Sequence, residues 1–173
     1  KNYRTFFKLR PPLRSNSDKL FLLQNIKDST LDTISSFHLP QDEESKRLPF
    51  EKAAFGAIGL QTLLPACLKL VNDKIIDLPQ LFRKISLNPA KILNIKSGIL
   101  EEGYFADLVL FDPNKPLLID RFNLLSKAKN TPFDGYQLFG EVLKTFVGGE
   151  EIYKSRNIND TWYFKNLGGS SHI

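Results

Sequence analysis

The hydrophobic pattern of this 173-residue chain changes character at Gly98, and the change limits what the chain can fold into. Before that glycine, apolar residues recur at helical spacing between short β-branched runs; after it, they alternate as along strands. "YRTFFKL" (residues 3–9) reads as a strand that stops at "RPPLRS", because Pro11 and Pro12 cannot continue a central strand. Ser17 can cap the helix that follows, "DKLFLLQNIKD", which sets Leu20, Leu23 and Ile26 on one face. "LDTISS" (31–36) reads as a second strand. Strand, turn, helix and strand at this spacing make a βαβ-type unit and predict a parallel sheet.

A polar loop (37–49) leads into an apolar segment of helical character from 53 to 71, punctuated by Gly56 and Gly59. Pro65 marks either an early turn of that helix or a kink. "DLPQLFRKIS" predicts a helix capped by Asp77, with Leu78, Leu81, Phe82 and Ile85 on one stripe. "NPAKILNIKSG" predicts a separate short helix with Asn88 as N-cap, Pro89 at the first helical position and Gly98 past its end. Beyond Gly98, "YFADLVLFDP" predicts a strand ended by Asp112 and Pro113, and "PLLID" a further one. "EVLKTFVGGEEIYK" predicts a hairpin across Gly148–Gly149. The expected organisation is an α/β part (1–98), a small β part (99–155) and an irregular tail (156–173). Two parallel strands can neither close a barrel nor cover both faces of a sheet, so the sequence reads as a piece of a longer chain.

Hydrophobic residues make up 42% and charged residues 25%, an ordinary soluble balance rather than a disordered one. The net charge of +5 raises the question of nucleic acid, but the 24 Lys and Arg are scattered, mostly singly, between apolar residues, and only "KSR" and "SKRLP" come close to a cluster, so no nucleic-acid partner is expected. No apolar run approaches the roughly 18 residues of a membrane span, and no signal-peptide core is present; a cytoplasmic protein without membrane contact is expected. Cys67 stands alone inside an apolar helical pattern and reads as a buried, inert thiol.

Four stretches, in order, carry a resemblance: "KLRPPLRS", "SSFHLPQDEESKRLPFEKAAFGAIGLQTLLP", "SLNPAKILNIKSGILEEGYFADLVLFDPN" and "SKAKNTPFDGYQLFGEVLKTFVGGEEIY". Together, over residues 3–153, they resemble bacterial class I dihydroorotases, cyclic amidohydrolases of the metal-dependent amidohydrolase superfamily. "GYFADLVLFDP" is shared with hydantoinases, whereas "SKAKNTPFDG" is particular to dihydroorotases and their inactive kin. The resemblance implies the C-terminal part of a (β/α)8 barrel in residues 1–98 and segments of a small flanking β-sandwich in 99–155. It implies the interconversion of N-carbamoyl-aspartate and dihydroorotate in pyrimidine biosynthesis, with zinc as the family's metal.

The same resemblance exposes what is missing. The family's His-x-His pair, carboxylated lysine and two further histidine ligands find no match, because His38 and His172 are the chain's only histidines. Metal-assisted amide hydrolysis needs about three protein ligands and an open position, which two distant histidines do not supply. The chain by itself is therefore expected to bind no metal. The family's loop Ser-Asp-His-Ala-Pro-His stands here as Ser-Phe-His-Leu-Pro-Gln, which puts Phe37 at the place of the metal-binding, proton-shuttling Asp. A phenyl ring can neither ligate zinc nor accept a proton.

Gln41 falls where a histidine often binds the substrate carboxylate, and it can still donate a hydrogen bond. Arg10 can clamp a carboxylate bidentately, and Phe55–Gly56 match a Phe-Gly pair whose backbone meets dihydroorotate. Each also has a plain reading: Arg10 as a surface or ion-paired residue, Gln41 and His38 as structural loop residues, Phe55–Gly56 as packing, and the run Asp42, Glu43, Glu44 as an exposed charged helix start. Two functions stay open. One is a dihydroorotase-like portion inactive alone; the other is a non-catalytic scaffold that partners aspartate transcarbamoylase or self-associates. A hydantoinase or allantoinase is disfavoured by "SKAKNTPFDG".

Overall fold

The structure is a computed structural model, and it describes residues 3–155. Five helical segments precede a three-stranded sheet: α1 (Asn16–Lys27), α2 (Glu43–Arg47), α3 (Leu63–Asn72), α4 (Leu78–Phe82), α5 (Asn88–Ile92), then β1 (Leu108–Leu118), β2 (Gln137–Val147) and β3 (Glu150–Lys154). The sheet is antiparallel throughout, in the order β1-β2-β3. The tail expected at 156–173 lies outside the described residues.

Neither expected N-terminal strand forms. The stretch 3–9 folds as a 3-10 turn over Thr5–Phe7, and 31–36 runs without a ladder partner. β-propensity is realised only where a neighbouring strand completes the ladder. Here the polar backbone of 31–36 is satisfied by the helical layer instead: Ile34 N–H donates to Lys84 O (3.0 Å), and the Lys84 ammonium and Asn88 amide donate to Leu31 O (2.5 Å) and Asp32 O (2.9 Å). The expected parallel pairing of these two stretches is therefore absent; the isolated parallel bridge among the described residues joins other segments, His38 and Ala57, with Leu39 N–H donating to Ala57 O at 2.8 Å.

Helix α1 starts one turn-residue pair earlier than expected. Ser15, not Ser17, is the cap, because Asp18 three residues on closes a capping box: Ser15 Oγ accepts from Asp18 N–H, and the Asp18 carboxylate accepts from Ser15 N–H. Of its apolar face, Leu23 and Ile26 are half-buried and Leu20 stays exposed. In the apolar segment after the loop, the helix begins only at Leu63, since Gly56 (φ +126°) and the close approach of Gly59 to Ser36 hold the preceding stretch extended. Pro65 sits in the first turn of α3, where its missing N–H costs nothing.

Asp77 caps α4 as expected, in a capping box with Gln80. Asn88 is not a cap, however. Its backbone is helical, and α4 runs into α5 through a widened turn of π type at Arg83–Leu87. Pro89 has no N–H and crowds the carbonyl one turn back; the wider turn relieves both problems without breaking the rod. The rod ends at Asn94 (φ +53°) rather than at Gly98: Ile95 N–H donates to Ala90 O and Asn94 N–H to Lys91 O, a Schellman close.

Asp112–Pro113 likewise fails to end its strand. β1 continues through it to Leu118 by an irregularity between Asp112 and Pro116 that shifts the register against β2. The hairpin turn falls at Gly148–Gly149, both with positive φ, as its tight return demands. One core joins sheet and helices. Cys67, Leu68, Ile76 and Leu81 form its centre, and Phe111 of β1 packs against them with its ring 5.6 Å from that of Phe82. Burying a side chain such as Leu68 or Leu81 is worth about 1.5–3 kcal/mol each. No helix among the described residues is long and apolar enough to cross a membrane.

Candidate substrate-binding site

Residues 34–39 and 56–59 run side by side because two glycines permit it. A Cβ at Gly56 would stand 2.7 Å from Leu39 O, and one at Gly59 2.7 Å from Ser36 O, closer than any real side chain allows. Between these segments, the Arg10–Pro11 turn and the start of α3 lies a cavity of about 330 Å³. Arg10, Phe37 and Gly56 line it together with Ser36, Thr62 and Cys67. Three of the residues singled out in the sequence are thus gathered at one place. Gln41 and Phe55 do not line it.

Arg10 is exposed and joins no ion pair among the described residues, so its guanidinium is available to an anion. Phe37 is 62% exposed and has φ +43°, the left-handed region that a bulky side chain rarely adopts. Gly56 has its N–H committed to Lys8 O (3.0 Å), and its carbonyl accepts from the Asn130 amide (3.2 Å). The Phe55 ring turns to the other side of the chain, 4.6 Å from the Lys8 ammonium. His38 is structural: its Nδ1 accepts from Gly59 N–H at 3.0 Å, which places the neutral ring's proton on Nε2.

Two features escaped the sequence reading. The first is Asn130, 2% exposed, in the "KNTPFDG" stretch. Its amide donates to Leu39 O (3.4 Å) and Gly56 O (3.2 Å), its Oδ1 accepts from Gln41 N–H (3.2 Å), and its own carbonyl accepts from Ile58 N–H (3.1 Å). One side chain therefore ties two other segments, 39–41 and the chain at Gly56, to its own loop. The second is a pair of buried lysines. Lys46 donates to Thr5 O, Ala54 O and Lys8 O, while Lys8 donates to Phe50 O and Glu51 O. Desolvation, and secondarily the charge of Lys8, lowers the Lys46 amine from its ordinary value. Neither was findable from sequence, because lysines normally read as surface and Asn130 had only the value of a signature.

The residues around the cavity do not fit zinc. Cys67 is the one soft ligand there, and burial pushes its thiol up to about 11. Among the described residues no three His, Cys, Asp or Glu come together in a group that could hold a metal ion. What the site offers is a guanidinium at the rim of an apolar hollow with hydroxyls at its wall.

The profile of the amidohydrolase family matches residues 53–152. The dihydroorotase of Syntrophus aciditrophicus (strain SB) is 43% identical over 153 residues, 88% of this chain and 36% of that protein. The dihydroorotase of Geobacter metallireducens is 40% identical over 154 residues, 89% of this chain and 36% of that one. The chain thus spans about a third of the length of the curated relatives it matches. Among solved structures, the L-hydantoinase (dihydropyrimidinase) from Arthrobacter aurescens superposes with a TM-score of 0.83 at 30% identity, over 88% of this chain and 35% of that one. A D-hydantoinase structure superposes at 0.80 with 23% identity, a likeness of fold. With a profile that covers more than half of its residues, the chain belongs to the amidohydrolase family.

Proposed function

We propose that this chain forms the substrate-facing part of a dihydroorotase-type cyclic amidohydrolase, acting on dihydroorotate or N-carbamoyl-aspartate, and that it has no hydrolytic activity by itself. Residues 1–98 would contribute the last elements of the barrel and 99–155 part of the flanking β domain, in a cytoplasmic protein. The observation that carries this reading is the meeting of Arg10, Phe37 and Gly56 at one cavity. Arg10 supplies the charge that a substrate carboxylate needs, and the cavity volume of about 330 Å³ suits a small cyclic amide. Phe37 supplies neither metal binding nor proton transfer at the place where the resemblance expects an aspartate. Gln41 and Phe55 would act at most through backbone or after a shift of their loops. Calorimetric titration with dihydroorotate, run beside a hydrolysis assay with added zinc, tests the proposal. Saturable binding weakened by Arg10→Gln, without turnover, is expected. Turnover, or no binding, would count against it.

A scaffold role is favoured by one further feature. Phe21, Leu93, Leu100, Phe105, Phe122 and Leu125 are all more than half exposed, an unusual load of large apolar side chains for an isolated domain. Such a surface suits a protein partner, aspartate transcarbamoylase or a second copy. Sedimentation of the purified chain alone and with that enzyme distinguishes these outcomes; a monomer with both would remove the scaffold reading.

A further inference from the structure

A separate cavity of about 340 Å³ shares no lining residue with the one that holds Arg10. Arg4, Arg47, Arg121 and Lys46 line it, with Phe6 and Glu43. Its geometry is built, not incidental. The Arg4 and Arg121 guanidiniums both lie over the Phe6 ring, at 5.1 and 5.2 Å from its centre. Asp134 ties them together: its Oδ2 stands 3.3 Å from Arg4 Nη2 and 3.7 Å from Arg121 Nε, and its Oδ1 accepts from Arg121 N–H at 3.2 Å. One carboxylate is thus shared by two guanidiniums. Glu43 is occupied by Arg47 (2.8 Å) in a solvated pair that neutralises little else. Lys46 adds a 2% exposed ammonium satisfied by carbonyls alone, with no carboxylate of its own. Four cations here face two carboxylates, so two positive charges are left unbalanced around one hollow.

We propose that this cavity binds a phosphate group, either free or carried by a small phosphomonoester. Planar guanidinium forks donate in pairs to a tetrahedral oxyanion, and its charge of nearly −2 matches the local excess. The volume exceeds that of bare phosphate and reaches the lower range of small-molecule pockets, about 300 Å³. This site does not depend on the cyclic-amide reading, since it uses none of the same residues.

The test is a titration of the 173-residue chain with inorganic phosphate and, separately, phenyl phosphate at low salt, followed by calorimetry and amide chemical shifts. Saturable binding is expected, with shifts centred on residues 4–6, 43–47 and 121. Arg121→Gln is expected to weaken binding about tenfold, the worth of one charge-assisted hydrogen bond. Lys69→Gln makes the same charge change on the exposed side of α3 and is expected to leave the affinity unaltered. Tighter binding of inorganic phosphate assigns the free ion as ligand; tighter binding of phenyl phosphate assigns a monoester. Unsaturable binding, or equal losses in the two variants, overturns the site. Should Arg121→Gln not fold, shifts in the parent chain that centre on other residues overturn it equally.

Discussion

Gly140 of β2 and Leu68 of α3 are in such close contact that a single added methyl on the glycine would overlap the leucine side chain. The contact joins the sheet to the helical layer. Leu68 is 1% exposed and cannot rotate away without opening the core. Gly140 also holds φ +103°, where any L side chain is strained. Gly140→Ala should therefore destabilise the chain by roughly 1–3 kcal/mol from the backbone alone, and by more if the core is overpacked. Urea melts of Gly140→Ala, Leu68→Ala and the double variant check the cause. Coupling between the two sites identifies steric overlap; strict additivity would place the whole cost in the backbone.

Asn130 is the second residue whose loss should spread. Replacing its amide with a carboxylate by Asn130→Asp removes the donors to Leu39 O and Gly56 O and brings negative charge against both carbonyls. An unsatisfied buried polar group costs about 1–3 kcal/mol, so a loss of that size is expected in thermal melts. Because the same side chain fixes the Gln41 and Gly56 backbones, dihydroorotate affinity should fall with it. A variant that loses stability but keeps native-like amide exchange at Gly56 and Gln41 would show that the loops hold without Asn130.

These two residues illustrate what could and could not be read from the sequence. Capping and turn chemistry is local, and part of it was legible: the Asp77 cap and the Gly148–Gly149 hairpin stand where their residue types put them, whereas the caps expected at Ser17 and Asn88 do not. Arg10, Phe37 and Gly56 were singled out by the resemblance and not by spacing, and that they line one cavity while Gln41 and Phe55 do not is seen only in the fold. Strand formation at 3–9 and 31–36 was not legible, since it depends on a partner strand. No such partner lies beside them among the described residues, and helix-borne donors such as Lys84 satisfy their carbonyls. The unbroken rod through Asn88–Pro89 was hidden as well, because a widened turn can absorb a proline that local rules treat as a start signal. Asn130 and Lys46 became visible only when loops distant in sequence converged on them.

Phe37 offers a discriminating substitution. Asp tolerates the left-handed backbone better than a bulky aromatic, so Phe37→Asp should fold at least as well as the parent chain. It would place an aspartate at the rim of the cavity, yet the described residues still provide no clustered partners for a metal. Dihydroorotate hydrolysis with added zinc is expected to stay at the buffer rate. Turnover above that rate would sink the reading that the chain alone cannot assemble a metal site.

Cys67 makes a pH prediction with a definite sign. Burial pushes its thiol up to about 11 from an ordinary 9.0, so the folded state disfavours the thiolate. Below about pH 9 the thiol is protonated folded or unfolded, and its full contribution to stability is present. Between about pH 9 and about pH 11 the unfolded chain ionises first, and stability on the order of 2–3 kcal/mol is lost. Lys46 acts oppositely. Its amine is lowered by desolvation, so its cost at neutral pH fades as the pH rises toward its ordinary 10.5. The two effects overlap, and only a comparison of variants separates them. Cys67→Ala should be less stable near neutrality, from the lost packing, but should lose less stability on going from about pH 8 to about pH 11. Urea melts across that range provide the test. Parallel pH profiles for the two proteins would mean that the thiol titrates in the fold much as it does in water. Slow alkylation of the folded chain near neutral pH, accelerating only with denaturant, is the matching chemical outcome.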